Sequence, residues 1–156
     1  MKLLYFHQYF VTPLGVGGNR SYRMAEALLR KGHSVTVVCG SAENGKTGLD
    51  GPFIGGRRQG IVEGIEVIEL ELPYSNHLSL LQRSWIFLRY AFQSVYLALQ
   101  MEYDLVFATT TPLTAGIPGI FARWLRKKPF VFEVRDLWPE LPKAMGVVKN
   151  PLVLQA

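Results

Sequence analysis

One cysteine, Cys39, stands in the whole sequence, so no disulfide can form within the chain and a reducing, cytoplasmic compartment is expected. Metal-binding side chains are equally scarce. That cysteine and three scattered histidines match no ligand spacing, so neither a bound metal nor a resident cofactor is expected. Charged residues make up only 19% of the chain against 49% hydrophobic, which excludes a disordered polar tail, because such a tail buries too little apolar surface to offset the entropy of ordering. The 15 glycines and 9 prolines follow no period, which excludes collagen-like and repeat architectures. The sequence has no Gly-x-x-x-x-Gly-Lys-Ser/Thr phosphate loop and no Gly-x-Ser-x-Gly nucleophile elbow. A secretory leader is not expected either, since Leu3-Leu4-Tyr5-Phe6 reaches His7 and Gln8 too soon for an apolar leader core.

What is present fits one domain with a substantial core, 156 residues long and carrying a net charge of +5. The positive excess suits an anionic partner such as a phosphate, a nucleotide or a lipid headgroup. Nucleic acid is not expected, because the basic residues are spread over several helices and no recognisable module accompanies them.

Along the chain, residues 2–7 read as a short apolar strand buried on both faces of a parallel sheet. The segment Thr12-Pro13-Leu14-Gly15-Val16-Gly17-Gly18 follows. Residues 19–31 then have helical spacing, with Asn19 as N-cap and Gly32 as the stop. Residues 34–39 are a β-branched strand, which completes a βαβ unit. Glycines puncture residues 40–60, with Arg57-Arg58 near the end, and such a segment is usually functional or disordered. Residues 61–72 alternate, Ile65, Val67, Ile68, Leu70 and Leu72 against Glu63, Glu66, Glu69 and Glu71. Two strands turning at Glu63-Gly64 and one strand extended from that turn both fit.

Residues 78–101 are helical by length and carry two charges, Arg83 and Arg89, with Gln82, Arg89, Gln93 and Gln100 on one narrow stripe. Three readings stand for this helix: packing on the sheet, packing combined with a membrane-surface contact, and a membrane span. The glutamines and arginines weigh against the span. Residues 103–108 form a strand leading into Thr109-Thr110-Thr111-Pro112. Residues 113–126 form a helix with small residues that allow close approach, ending on Arg123, Arg126, Lys127 and Lys128. Residues 129–134 form the next strand, which delivers Arg135-Asp136-Leu137-Trp138-Pro139-Glu140. The order β-α-β-β-α-β-α-β predicts an α/β fold, a Rossmann-like, open, mostly parallel sheet with helices on both faces.

Ligands of such sheets bind beyond the carboxyl ends of the strands. Residues 7–19, the start of the 40–60 segment, residues 109–112 and residues 133–140 should converge there. Gly15-Val16-Gly17-Gly18 before a helix suits an anion, the alternative being a tight turn only. It is not the dinucleotide fingerprint, which would need glycine where Arg20 stands. Asp136 suits a base or a sugar-orienting carboxylate, the alternatives being a pair with Arg135 or a helix cap. Glu133 is either a satisfied polar residue or an inward-facing site group. His7 ends the first strand at the ligand edge.

Several segments together resemble a known family. They are His7-Gln8-Tyr9-Phe10, Gly17-Gly18-Asn19-Arg20, Ala25-Glu26-Ala27-Leu28, Lys31-Gly32-His33-Ser34-Val35-Thr36-Val37, Gly64-Ile65-Glu66-Val67, Asp104-Leu105-Val106 and Glu133-Val134-Arg135-Asp136-Leu137-Trp138-Pro139-Glu140. The chain resembles the amino-terminal half of family 4 glycosyltransferases, in the branch that builds bacterial capsule, O-antigen, colanic acid and similar surface polysaccharides. The resemblance implies a GT-B enzyme of two Rossmann-like halves, this one shaping the acceptor site and an absent carboxy-terminal domain holding the nucleotide-sugar donor. It implies transfer with retention of anomeric configuration and without metal, and a chain that is inactive alone. It puts Gly17, Gly18, Asn19 and Arg20 near the donor diphosphate and Asp136 at the catalytic edge. His7, Thr110, Thr111, Glu133 and Arg135 fall on the acceptor side of the cleft. It further implies a lipid-linked or glycan acceptor and a peripheral position on the inner face of the membrane, with Arg83, Trp85 and Arg89 as the expected contact. Two competing readings are a free-standing nucleotide-binding module and a non-catalytic subunit of a split transferase completed by a partner chain.

Overall fold

The computed structural model describes residues 1–42, 45–75 and 77–135, so Asp136 and the stretch 137–156 lie outside the described residues. The described residues form three α-helices and one six-stranded sheet of order β3-β4-β2-β1-β5-β6. The strands are β1 (Lys2–Phe6), β2 (Ser34–Ala42), β3 (Arg57–Val62), β4 (Ile65–Tyr74), β5 (Leu105–Thr109) and β6 (Phe130–Glu133). The helices are α1 (Arg20–Arg30), α2 (Leu80–Gln100) and α3 (Ile117–Arg126). All neighbouring strands are parallel except β3 and β4, so the fold is the mostly parallel, Rossmann-like α/β sheet expected from the element order.

Alternation along β1 divides the core into two layers. Leu4 and Phe6 join Val38, Ile68, Leu70, Leu72 and Val106 under α2 and α3. Tyr5 points the other way and joins Val35, Val37, Ile65 and Val67 under Tyr22 and Ala25 of α1. Central strands covered on both faces explain the unbroken apolar runs of the sequence.

The ambiguity at residues 61–72 resolves into a hairpin. Glu63 and Gly64 both have positive φ, 50° and 87°, the backbone that joins two twisted antiparallel strands through a two-residue turn. β3 begins at Arg57, so the end of the glycine-rich segment is strand. Leu113–Gly116, expected as the first turn of a helix, is a 3-10 turn after Pro112, and the α-helix starts at Ile117.

α2 opens on a capping box between Ser79 and Gln82 and buries Tyr90, Ala91, Ser94, Leu97 and Ala98 against the sheet. The Tyr90 hydroxyl donates to the Val38 carbonyl at 2.8 Å, which satisfies a polar group in a fully buried position. The far side of α2 is not simply the glutamine and arginine stripe. Leu81, Trp85, Leu88, Phe92 and Tyr96 are exposed beside it, Trp85 at 61% and Phe92 at 73%. Among the described residues no helix is long and apolar enough to cross a membrane.

The small residues of α3 do admit close packing. A Cβ built on Gly119 would lie 2.1–2.4 Å from three atoms of the Phe130 ring. Gly119→Ala therefore overpacks β6 against α3 and should cost about 1–3 kcal/mol in urea unfolding. Adding Phe130→Leu should recover part of that loss, whereas a single variant as stable as the parent chain would contradict this packing.

Candidate functional site

The chain runs from β1 outward to β2 on one side and returns to β5 on the other, so the strand order switches beside β1. There the carboxyl ends of the strands open into a cavity of about 500 Å³. His7, Gly17, Gly18, Thr111 and Arg135 line one side of it and Tyr9, Tyr74 and Phe87 the other. The four segments expected to meet at this edge all contribute.

The glycine loop is held from beneath. The Thr12 amide and hydroxyl both donate to the Lys46 carbonyl, each at 2.9 Å, so the segment after β1 is clamped to the segment after β2. Gly15 lies where a Cβ would come within 2.8 Å of the Lys46 amide nitrogen, and Gly17 has a φ of +131°, which an L side chain rarely adopts. Gly18, just before α1, has open space where its side chain would be. Asn19 is the residue at the N-cap of α1, although its side chain makes no capping bond.

Glu133 at the end of β6 gathers the polar side of the cavity. It accepts from Arg20 in the first turn of α1 and from the Thr109 hydroxyl at the end of β5. Its carbonyl accepts from the Thr110 amide at 3.1 Å, and the Thr110 hydroxyl accepts from the Arg135 amide at 2.8 Å. Thr110 itself is buried and serves as a strut, while Thr111 reaches the cavity. Arg20 is thus paired with Glu133, while Arg135 lines the cavity, where its guanidinium favours an anionic ligand. Tyr5, beneath this group, has its phenol pushed up to about 12, chiefly by burial, with a hydrogen bond to Thr109 opposing and the Glu133 carboxylate assisting.

His7 is buried, and its Nδ1 shares a hydrogen bond of 2.7 Å with the Ser21 hydroxyl. Burial first and the nearby Arg135 second lower its pKa from 6.5 to about 4, with Glu133 pulling the other way. His7 therefore faces the cavity as a neutral imidazole, a hydrogen-bonding group rather than a cation. The sign of its effect on stability follows. Between pH 6.5 and about 4 the unfolded chain takes up a proton that the folded chain refuses, so stability falls as pH is lowered through that window. The loss from this one group is about 3 kcal/mol at most. His7→Asn should flatten the dependence of the urea midpoint on pH below 6.5, and an unchanged slope would contradict the assignment.

Tyr9, Tyr74 and Phe87 are the part of the site that the sequence reading missed. Tyr9 meets Tyr74 edge-on at 5.0 Å, and Tyr74 stacks on Phe87 at 5.9 Å. The signal was available: β4 runs parallel to β2, so its last residue, Tyr74, ends at the same edge. Of the three residues expected at a membrane, Trp85 and Arg89 are exposed. Arg83 turns inward, donating to the Leu78 carbonyl at 2.9 Å and lying 6.0 Å over the Tyr74 ring. Asp136, the candidate catalytic residue, lies outside the described residues.

The sequence matches the glycosyl transferase 4-like domain over residues 17–154. The chain belongs to that family. The match takes in Gly17 and Gly18, the hairpin, both helices of the apolar layer and Arg135. No curated protein matches the chain in sequence. Among solved structures, two of the C-terminal domain of a hydrogenase from Pyrococcus furiosus are similar, each at 16% identity, with TM-scores of 0.57 and 0.55, covering 85% of this chain and 90% of theirs. That likeness is one of fold. Trehalose-6-phosphate from E. coli bound with UDP-2-fluoro glucose is similar at 13% identity and a TM-score of 0.48, over 85% of this chain and 32% of that one.

Proposed function

We propose that the chain is the acceptor-side half of a GT-B glycosyltransferase that moves a sugar from a nucleotide-sugar donor to a lipid-linked glycan in bacterial surface-polysaccharide synthesis. The observation that carries the reading is the family match over residues 17–154 together with the cavity at the strand ends, to which the matched stretch contributes Gly17, Gly18, Thr111 and Arg135. In this reading the bond between the sugar and the donor diphosphate breaks, and the acceptor hydroxyl forms the new glycosidic bond with the configuration retained. The nucleoside diphosphate leaves with the electron pair and takes up the proton that the acceptor hydroxyl gives up. Gly17, Gly18, Asn19 and Arg20 stand toward the diphosphate; His7, Thr111, Glu133 and Arg135 stand toward the acceptor; and Asp136 follows at the catalytic edge. No metal takes part, and a second domain, or a partner chain supplying it, holds the donor.

The exposed apolar side of α2 supports a peripheral position on the inner membrane face, where such an acceptor would lie. The test is reconstitution. The chain mixed with a donor domain of the same family, supplied as a separate polypeptide, should transfer sugar to a polyprenyl-diphosphate-linked acceptor. The product should keep the donor's anomeric configuration by NMR. An inverted product would remove the retaining assignment, and absence of transfer with every donor domain would remove the transferase reading.

A further inference from the structure

A second depression lies away from the cleft, on the opposite side of α2. Beneath it the sheet face is only partly covered. α2 and α3 pack over the centre and the β6 side, while the β3 edge on the same face carries exposed Arg57, Gln59 and Ile61. Arg57 and Arg58 are neighbours on one strand and so point to opposite faces. Arg58 is consumed by the buried Glu69. Arg57 lies opposite Leu70, on the face that α2 covers, and among the described residues no hydrogen bond or ion pair holds its guanidinium.

The resulting groove, of about 520 Å³, runs between the α2 flank and the hairpin at Gly55-Gly56. Ile54, Leu70, Phe92 and Tyr96 give it apolar walls, and Arg57 stands in its lining. The groove continues into the exposed stripe of α2, with Ile54 at 79% exposure on its far lip.

Charge narrows the occupant. Neither α2 nor α3 contains an acidic residue. Between Glu71 and Glu133 the sequence has only Glu102, which is paired with Arg126, and Asp104, which accepts from the Lys2 amide. Glu66, the carboxylate on the same face of β4, accepts from Thr36 at 2.6 Å. The face is therefore apolar and cationic together, with Arg57 and Arg89 both exposed, which complements an anionic amphiphile.

We propose that this groove seats one anionic phospholipid, with its acyl chain between Ile54–Leu70 and Phe92–Tyr96 and its phosphodiester on Arg57. This rests on the reading above that the chain works at a bilayer, and it names the lipid contact.

Two measurements test it. In flotation, the 156-residue chain should rise with vesicles of phosphatidylcholine mixed with phosphatidylglycerol and rise weakly with phosphatidylcholine alone. Arg57→Glu should weaken the former by more than about tenfold, at about 1 kcal/mol for each basic charge near such a surface. Arg30→Glu, the same charge change on α1 across the sheet, should leave it nearly unchanged. In calorimetry, dioctanoyl-phosphatidylglycerol below its micelle concentration should bind one-to-one, and Phe92→Ser should abolish that binding while leaving the circular dichroism spectrum and Tm unchanged. Equal losses from Arg57→Glu and Arg30→Glu, or no one-to-one binding, overturn the groove while the bilayer reading stands. One-to-one binding without flotation would keep the groove and remove the bilayer reading.

Discussion

Replacing Arg58 by alanine is expected to destabilise the chain by about 3–5 kcal/mol, the range for removing one partner of a buried ion pair. Glu69 is only 3% exposed, and Arg58 grips it with a two-pronged fork, Nε to Oε2 at 3.0 Å and Nη2 to Oε1 at 3.1 Å. Thr47 adds a hydroxyl to the same carboxylate. The third nitrogen of Arg58 donates to the Gly51 carbonyl at 2.9 Å, and the guanidinium lies 4.7 Å over the Phe53 ring. One side chain thus ties the glycine-rich segment to the sheet and neutralises a charge beneath it. Without it the carboxylate stays buried with one hydroxyl donor. Arg58→Met combined with Glu69→Leu should recover most of the loss, because an apolar pair of similar volume leaves no uncompensated charge. Urea unfolding of Arg58→Met alone, Glu69→Leu alone and the two together gives the coupling. A single-variant loss below about 1 kcal/mol, the scale of an exposed pair, would contradict the arrangement.

Asp136→Asn in the reconstituted enzyme is the second large effect, an expected fall in turnover of about 100- to 10,000-fold, the usual contribution of a positioned acid or base. β6 aims the chain at the cavity, Thr110 fixes the Arg135 amide, and Arg135 lines the cavity itself. The next residue in sequence is Asp136. Asparagine keeps the size of the side chain and removes its charge and basicity, so Tm should hold while turnover falls. Unchanged turnover would take Asp136 out of the mechanism, and a fall in both would make it a structural residue.

The order of the elements was legible because turn chemistry and period agree at each boundary. Gly32, with φ of 78°, stops α1 just where the helical spacing ends. The all-apolar strands announced a sheet covered on both faces. Glu69 was not legible from alternation, which only set it with Glu63, Glu66 and Glu71 against the apolar positions. β4 is buried on both faces around Glu69, though not at exposed Glu71, and only the pairing register singles out Glu69. The turn at Glu63-Gly64 puts Arg58 opposite it, a relation that the sequence contains once two strands are chosen over one.

The candidate site divides in the same way. The glycine loop, His7, Thr111, Glu133 and Arg135 were found by topology, since every parallel strand ends at one edge. The aromatic side was missed because the alternating stretch was ended at Leu72, when the parallel strand runs on to Tyr74. The exposed stripe of α2 was hidden for a different reason. Apolar residues occupy most of that helix, and composition does not reveal which of them the sheet leaves uncovered.

The most direct test of the central claim is calorimetric titration of the 156-residue chain with nucleoside diphosphates, their sugar conjugates and NAD. A transferase half whose donor is held by another domain predicts no saturable heat with any of them. Saturable binding, above all of the dinucleotide, would make the chain a self-sufficient nucleotide-binding module and contradict the account.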